Sequence, residues 1–430
     1  MQALILKKTD WETSKGFELV DIPKPTLEVG DEDKIIIKVH YAGVCGTDKG
    51  IWNRMAFKEA ILNSIDAEMA LSGSTLSVSS DSTSPPKGEK NNGLRAFRII
   101  GHEFFGEVVE IGSAVNNIKM GDMVACESHV VCNECLQCLN GQKNVCTNEK
   151  ILGISVDGGF AEFAKVPSQV AWKVDTGKIR PEVAVLHEPF GNAVHAGTKV
   201  EVKGKTVAVF GLGPIGSFLV LVLKGLGAKT IIGIEPNEKA IAMGKELGVD
   251  YIVPLHTHPL LASPLKGEET AGSIGLIPSP RGGGLGRGDV NSYTHNKEVV
   301  EEIMKTTNGL GVDVAFEMAG FNSSVNNAIA SVRRGGEVIL FGLKTGDFVF
   351  EDFNKLVMKG ITLHCVAGRQ LWQTWETTQK LFEDKNTGVQ DKLFEVILQG
   401  GQGTILNIQD FTKEKFEEML VKHPKFLIKF

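Results

Sequence analysis

Residues 205–216 read KTVAVFGLGPIG, and this stretch restricts the fold more than any other. The apolar run Val207-Ala208-Val209-Phe210 predicts a strand buried on both faces. It leads directly into Gly211-Leu212-Gly213-Pro214-Ile215-Gly216, and a helical pattern follows over 215–226. A bare GxGxxG carries little weight in a chain with 49 glycines. Set between a strand and a helix, it predicts a tight turn whose backbone can approach a pyrophosphate. The helix N-terminus then offers unpaired N–H groups to the phosphates. The alternation continues downstream, with strands expected at 230–234, 251–254, 312–316 and 336–341. Helices are expected at 239–247, 297–307 and 323–332. Strands alternating with helices imply a parallel sheet with right-handed crossovers. Glu235 ends the second strand, 19 residues past Gly216. A carboxylate there can accept from ribose hydroxyls and repels a 2′-phosphate, which favours NAD over NADP.

The rest of the chain is built differently. Up to about residue 180, short alternating runs such as Lys34-Ile35-Ile36-Ile37-Lys38-Val39 and Gly106-Glu107-Val108-Val109-Glu110-Ile111 are separated by glycine turns, as in a β-rich domain. Two stretches fit neither half. Residues 72–93 hold seven Ser and two Thr, and residues 263–288 hold eight Gly and three Pro. Such composition cannot offset the entropy of ordering, so both read as low-complexity insertions. They share a word: Ser84-Pro85-Pro86-Lys87-Gly88-Glu89 resembles Ser263-Pro264-Leu265-Lys266-Gly267-Glu268. Chance similarity and a repeated inserted element both remain open. With the insertions set aside, 430 residues reduce to a two-domain length. The formal charge of −6 gives no electrostatic case for nucleic acid. No apolar run reaches the length of a membrane span, and the N-terminus turns charged too soon for a secretory signal.

Four of the seven cysteines, Cys132, Cys135, Cys138 and Cys146, crowd into fifteen residues. Four thiolates match the tetrahedral demand of zinc and close its shell, which makes a structural site. An iron–sulfur cluster is the competing reading, but the wide gap before Cys146 and the missing trailing proline favour zinc. A cluster of this kind in a chain with no signal sequence points to a reducing, cytoplasmic setting. A second set is dispersed: Cys45 in Gly43-Val44-Cys45-Gly46-Thr47-Asp48, His102-Glu103 after Gly101, and Glu188 in His187-Glu188-Pro189-Phe190-Gly191-Asn192. Taken singly, each of these is weak.

Together, and in this order, the motifs resemble the zinc-dependent medium-chain alcohol dehydrogenase superfamily. Gly159-Phe160-Ala161-Glu162 adds to the series. Within that superfamily the words Glu127-Ser128-His129-Val130-Val131-Cys132, Glu188-Pro189-Phe190-Gly191-Asn192-Ala193-Val194-His195 and Gly368-Arg369-Gln370-Leu371-Trp372-Gln373-Thr374-Trp375 are most similar to the L-threonine 3-dehydrogenases. The resemblance implies an α/β chain with a GroES-like β-rich catalytic domain and a Rossmann doubly wound parallel sheet. Residues 1–181 would form the catalytic domain, with an insertion at about 66–95. Residues 182–368 would form the NAD-binding domain, with an insertion at about 256–296. Residues 369–430 would return to the catalytic domain. It further implies that Cys45, His102 and Glu103 hold a catalytic zinc. Glu188 would be a fourth ligand or part of a proton relay, and Thr47 the first proton acceptor. Gly211, Gly213, Pro214, Ile215, Gly216, Glu235, Phe341, Gly342, Leu343, Val366 and Ala367 would line NAD. Two zinc ions per chain, an alcohol substrate and a homotetramer or homodimer complete the expectation.

The implied reaction oxidises a secondary alcohol to a ketone with hydride transfer to NAD, and threonine is the first candidate substrate. A polyol or diol such as sorbitol or butanediol is the alternative, and a non-catalytic NAD-binding protein is a reading of another class. Three departures from the family pattern bear on this. Gly50 occupies the position where the relay usually has a histidine. An Ile-x-Thr-His word is absent near 394–399, and Ala240 stands where a basic residue often contacts the cofactor. Asp48 and Glu162 read as structural carboxylates. His129 and His195 read equally as cleft-lining or supporting residues. Arg369 reads as a partner for a substrate carboxylate or a cofactor phosphate, or as a surface arginine. Trp372 and Trp375 read as one packed helix face.

Overall fold

The computed structural model describes residues 1–71, 96–255, 294–343 and 347–430. The alternating runs of the N-terminal part form two antiparallel sheets. β1 (Gln2–Lys7) pairs with β2 (Glu18–Asp21). β3 (Lys34–Val44) is the long strand of the second sheet. β4 (Phe97–Ile99) closes the first sheet on the other side of β1. β5 (Glu103–Ile111) runs against β3, and β6 (Met123–Cys126) against β5. β7 (His129–Val130) and β8 (Lys150–Ile151) form a two-stranded ladder flanking the cysteine-rich lobe. β9 (Phe163–Pro167) pairs with the first half of β3, and β10 (Ala171–Lys173) with β6. Ile35, Ile36 and Ile37 are all fully buried, so this part of β3 is covered on both faces. Burial of such a side chain contributes about 1.5–3 kcal/mol.

From residue 206 the chain changes to a parallel sheet. β11 (Thr206–Phe210) lies beside β12 (Thr230–Glu235), and β13 (Tyr251–Pro254) lies outside β12. β14 (Val312–Glu317) flanks β11 on its other side, followed by β15 (Val332–Leu340) and β16 (Thr362–Cys365). The order β13-β12-β11-β14-β15-β16 reverses direction at β11. A crevice opens at such a switch point, outside the carboxyl ends of the strands. Helices follow these strands at Pro214–Gly225, Glu238–Leu247, Lys297–Thr306 and Asn322–Ser331, each within two residues of its expected bounds. β15 begins earlier than the expected 336. Val332 pairs with Val312, residues 333–336 then bulge out, and regular pairing resumes at Glu337. Gly335, with φ +64°, makes that bulge possible.

The last residues return to the first half. β17 (Ile405–Asn407) runs parallel to β18 (Phe426–Lys429), and β18 pairs antiparallel with residues 41–44 of β3. The first expected insertion begins late, because a helix occupies Lys58–Leu71. The remainder of both insertions, and the word they share, lies outside the described residues, except that 294–296 lead into the helix at Lys297. Among the described residues, no helix is long and apolar enough to cross a membrane.

Candidate active site

Cys45 directly follows β3 and serves as N-cap of the helix Gly46–Trp52. His102 and Glu103 stand at the start of β5, the neighbouring strand. Ligand atoms of Cys45, His102 and Glu103 therefore come within 4.8 Å of one another, although 57 residues separate the cysteine from the histidine. Asp48 ties the set together. Its Oδ2 accepts the Cys45 N–H at 2.9 Å, and its Oδ1 lies 3.5 Å from His102 Nδ1. A carboxylate beside an imidazole nitrogen fixes ring orientation, so Asp48 is placed to hold both His102 and the Cys45 backbone. Lys425, the residue before β18, pairs with Glu103 Oε2 and is itself buried. Glu103 Oε1 is buried without a hydrogen-bond partner among the described residues. Buried polar atoms are ordinarily satisfied, and this donor set of sulfur, imidazole and carboxylate suits zinc.

Glu188 opens the helix His187–Gly197 and is buried. Its Oε1 accepts from Ser128 Oγ at 2.7 Å and from Arg369 Nη1 at 2.9 Å. Arg369 is neither a surface residue nor free for a ligand. Its Nε and Nη2 both donate to Glu127, Nη2 also donates to Ser128 Oγ, and Nη1 reaches Asn192 Oδ1 at 3.3 Å. It is 4% exposed. Thr47 is half-buried on the first turn of its helix, and Gly50 follows within the same helix. His129 bonds Glu149 at 2.6 Å and faces a cavity of about 290 Å³ that Lys143 and Trp372 also line. His195 bonds the carbonyl of Gly368 at 2.8 Å. Glu162 accepts the Gln2 N–H and holds the β1 edge. Trp375 is fully buried and donates to Glu127, whereas Trp372 precedes the helix Gln373–Glu383 and stacks on Trp172. The two rings nevertheless meet edge-to-face at 5.5 Å and both pack on Trp172, so they form one packed face although Trp372 stands just before the helix.

The cysteine lobe brings together the sulfurs of Cys132, Cys135, Cys138 and Cys146, again within 4.8 Å, and all four cysteines are free. The N–H of Cys132 points at Cys146 Sγ and that of Cys135 at Cys132 Sγ, both at 3.4 Å. N–H donors of this kind favour thiolate over thiol, as a metal requires.

At the parallel sheet, Gly211 has φ +96°, and a Cβ there would come 2.9 Å from Ala319 Cβ. Gly213 is the helix N-cap, Pro214 and Ile215 form its first turn, and Gly216 is buried. Glu235 Oε2 accepts the Leu212 N–H at 2.8 Å, and Oε1 the Asn237 N–H at 2.9 Å. Glu317, which the sequence reading did not single out, ties the facing turns. Its Oε1 accepts from Ala319 and Gly320 N–H groups, and its carbonyl from Phe341 and Gly342. Leu343 is exposed beyond them. Val366 is buried at the end of β16, and the Ala367 carbonyl accepts from Asn144 of the cysteine lobe at 2.9 Å.

Residues 31–176 match the Alcohol dehydrogenase GroES-like domain family, and residues 285–384 match the Zinc-binding dehydrogenase family. The L-threonine 3-dehydrogenase of Pyrococcus horikoshii is 33% identical over 372 residues, covering 86% of this chain and 84% of that protein. The chain belongs to the zinc-binding alcohol dehydrogenases. The L-threonine 3-dehydrogenase of Bacillus subtilis is 29% identical over 383 residues, covering 89% of this chain and 87% of that one. Among solved structures, 2R,3R-butanediol dehydrogenase from Bacillus subtilis superposes with a TM-score of 0.69 at 25% identity, covering 100% of this chain and 99% of that one. Galactitol-1-phosphate dehydrogenase from Escherichia coli shares the fold with the same TM-score at 19% identity, covering 100% of both chains. The α/β class with GroES-like and parallel-sheet halves, read from the sequence, agrees with these matches.

Proposed function

We propose that this chain is an NAD-dependent dehydrogenase that oxidises the secondary hydroxyl of L-threonine to 2-amino-3-ketobutyrate. The observation that carries the reading is the convergence of Cys45, His102 and Glu103 on one point, with Glu188 buried and hydrogen-bonded. Cys45, His102 and Glu103 would hold the catalytic zinc, and Cys132, Cys135, Cys138 and Cys146 a structural one. A zinc ion held there supplies Lewis-acid polarisation, which lowers the pKa of a substrate hydroxyl. NAD supplies the hydride acceptor.

The remaining work belongs to the chain. The Thr47 hydroxyl accepts the proton released from the alcohol as it passes its own hydroxyl proton to water, since Gly50 has no side chain to receive it. Asp48 orients His102 and the Cys45 backbone. Arg369 and Ser128 fix one oxygen of Glu188, which is then a fourth ligand or a proton acceptor. The Gly211–Gly216 turn and the following helix N-terminus receive the pyrophosphate. Phe341, Gly342, Leu343, Val366, Ala367 and Ile215 would line the NAD site. Glu235, held by two backbone N–H groups, presents its charge to the ribose and disfavours a 2′-phosphate. The resulting protein is a cytoplasmic homo-oligomer acting on small alcohols, with residues 1–181 and 369–430 forming the catalytic domain around the NAD-binding residues 182–368.

One observation favours a second substrate class. Arg369 is fully engaged by protein groups, so it offers nothing to an amino-acid carboxylate. A diol or polyol needs no such partner. NADH formation on L-threonine, sorbitol and 2,3-butanediol separates the two readings. The highest kcat/KM is expected on L-threonine, and a higher value on either of the others overturns that assignment.

A further inference from the structure

Glu127 follows β6, is fully buried and lies outside the proposed metal ligands. Its carboxylate collects donors from three segments. These are the His129 N–H at 3.0 Å, the Trp375 Nε1–H at 2.8 Å, and two N–H groups of Arg369, of which Nε lies at 2.9 Å. Arg369 reaches this position because Gly191 has no side chain. A Cβ there would come 2.8 Å from Arg369 Cδ. The two-pronged pair with Glu127 uses the Nε–Nη2 edge of the guanidinium and fixes its plane. Only Nη1 is left for Glu188, and it bonds Oε1, the same oxygen that Ser128 holds.

An arginine held between two buried carboxylates can divide its donors in more than one way. Left without Glu127, the guanidinium would turn to Glu188 and bind both of its oxygens, since a fork-to-carboxylate pair is the stronger geometry. The structure assigns Glu127 as a positioning residue: by occupying one edge of Arg369, it leaves Glu188 with an oxygen free for its work in the active site. This assignment rests on the proposed role of Glu188. Glu127 itself touches neither substrate nor cofactor.

A double-mutant cycle tests it on the full-length, zinc-loaded protein with the alcohol it turns over fastest. The variants are Glu127→Gln, Glu188→Gln and the double, with melting temperature and zinc content measured for each. Glu127→Gln keeps shape but cannot accept the two-pronged pair. It is expected to lower kcat by ~10–100-fold, as removing a partner of a metal-site residue commonly does, with KM moving less than about threefold. Glu127→Asp, which keeps the charge, should recover part of the loss. In the Glu188→Gln background the Glu127 change should cost nothing further, because both act through one group. An undiminished kcat in Glu127→Gln, or equal losses in both backgrounds, overturns the assignment. Full activity in Glu188→Gln instead overturns the role given to Glu188. If Glu127→Gln does not fold, Trp375→Phe removes a single donor to Glu127. A smaller kcat loss that vanishes in the Glu188→Gln background supports the assignment, and one that persists there refutes it.

Discussion

The residues with unusual chemistry were legible because chemistry restricts them. Four crowded cysteines have few uses, and a Cys45, His102-Glu103 and Glu188 series in order narrows the rest. The partners that make those residues work were not legible. Arg369 and Glu127 lie 242 positions apart, and Lys425 and Glu103 lie 322 apart. No periodicity or spacing encodes such pairs, so Arg369 read as a ligand contact or a surface residue. Its pairing has a consequence in acid. Burial alone would raise the Glu127 carboxyl, but the Arg369 guanidinium pulls it from 4.5 down to about 2. A folded-state value below the unfolded one stabilises the fold above about 4.5, and that stabilisation is lost as pH falls toward 2. Glu127→Gln should therefore flatten the fall of melting temperature across this window relative to wild type. Parallel curves for the two proteins would contradict the pairing.

At the scale of elements, the parallel sheet was the most readable part, because long buried runs and helical periods leave little ambiguity. The reversal at β11 and the turn at Gly211 follow from the same segment. The start of β15 was misplaced because a bulge at residues 333–336 has no apolar pattern, only Gly335-Gly336. Gly211 itself makes a sharp prediction. A non-glycine residue at φ +96° costs about 1–2 kcal/mol, and the new methyl would press on Ala319. In Gly211→Ala, NADH affinity measured by fluorescence titration should fall by roughly tenfold or more, since each factor of ten is about 1.4 kcal/mol. Unchanged affinity would remove this turn from the cofactor site.

At the scale of the whole molecule, the return of residues 369–430 to the first domain was expected from the family resemblance, without the elements that make it. The structure gives it a definite form: β18 docks on β3 beside Cys45 and delivers Lys425 to Glu103. The proposed active site therefore draws on three distant parts of the chain. The central claim is that Cys45, His102 and Glu103 hold a catalytic zinc distinct from the one on the cysteine lobe. It is tested most directly by counting zinc and following NADH formation on the same preparations of wild type and Cys45→Ser. The account predicts two zinc ions per chain and turnover in wild type. In the variant it predicts one zinc ion, no turnover and retained NADH binding. Two zinc ions with undiminished turnover in Cys45→Ser would contradict it.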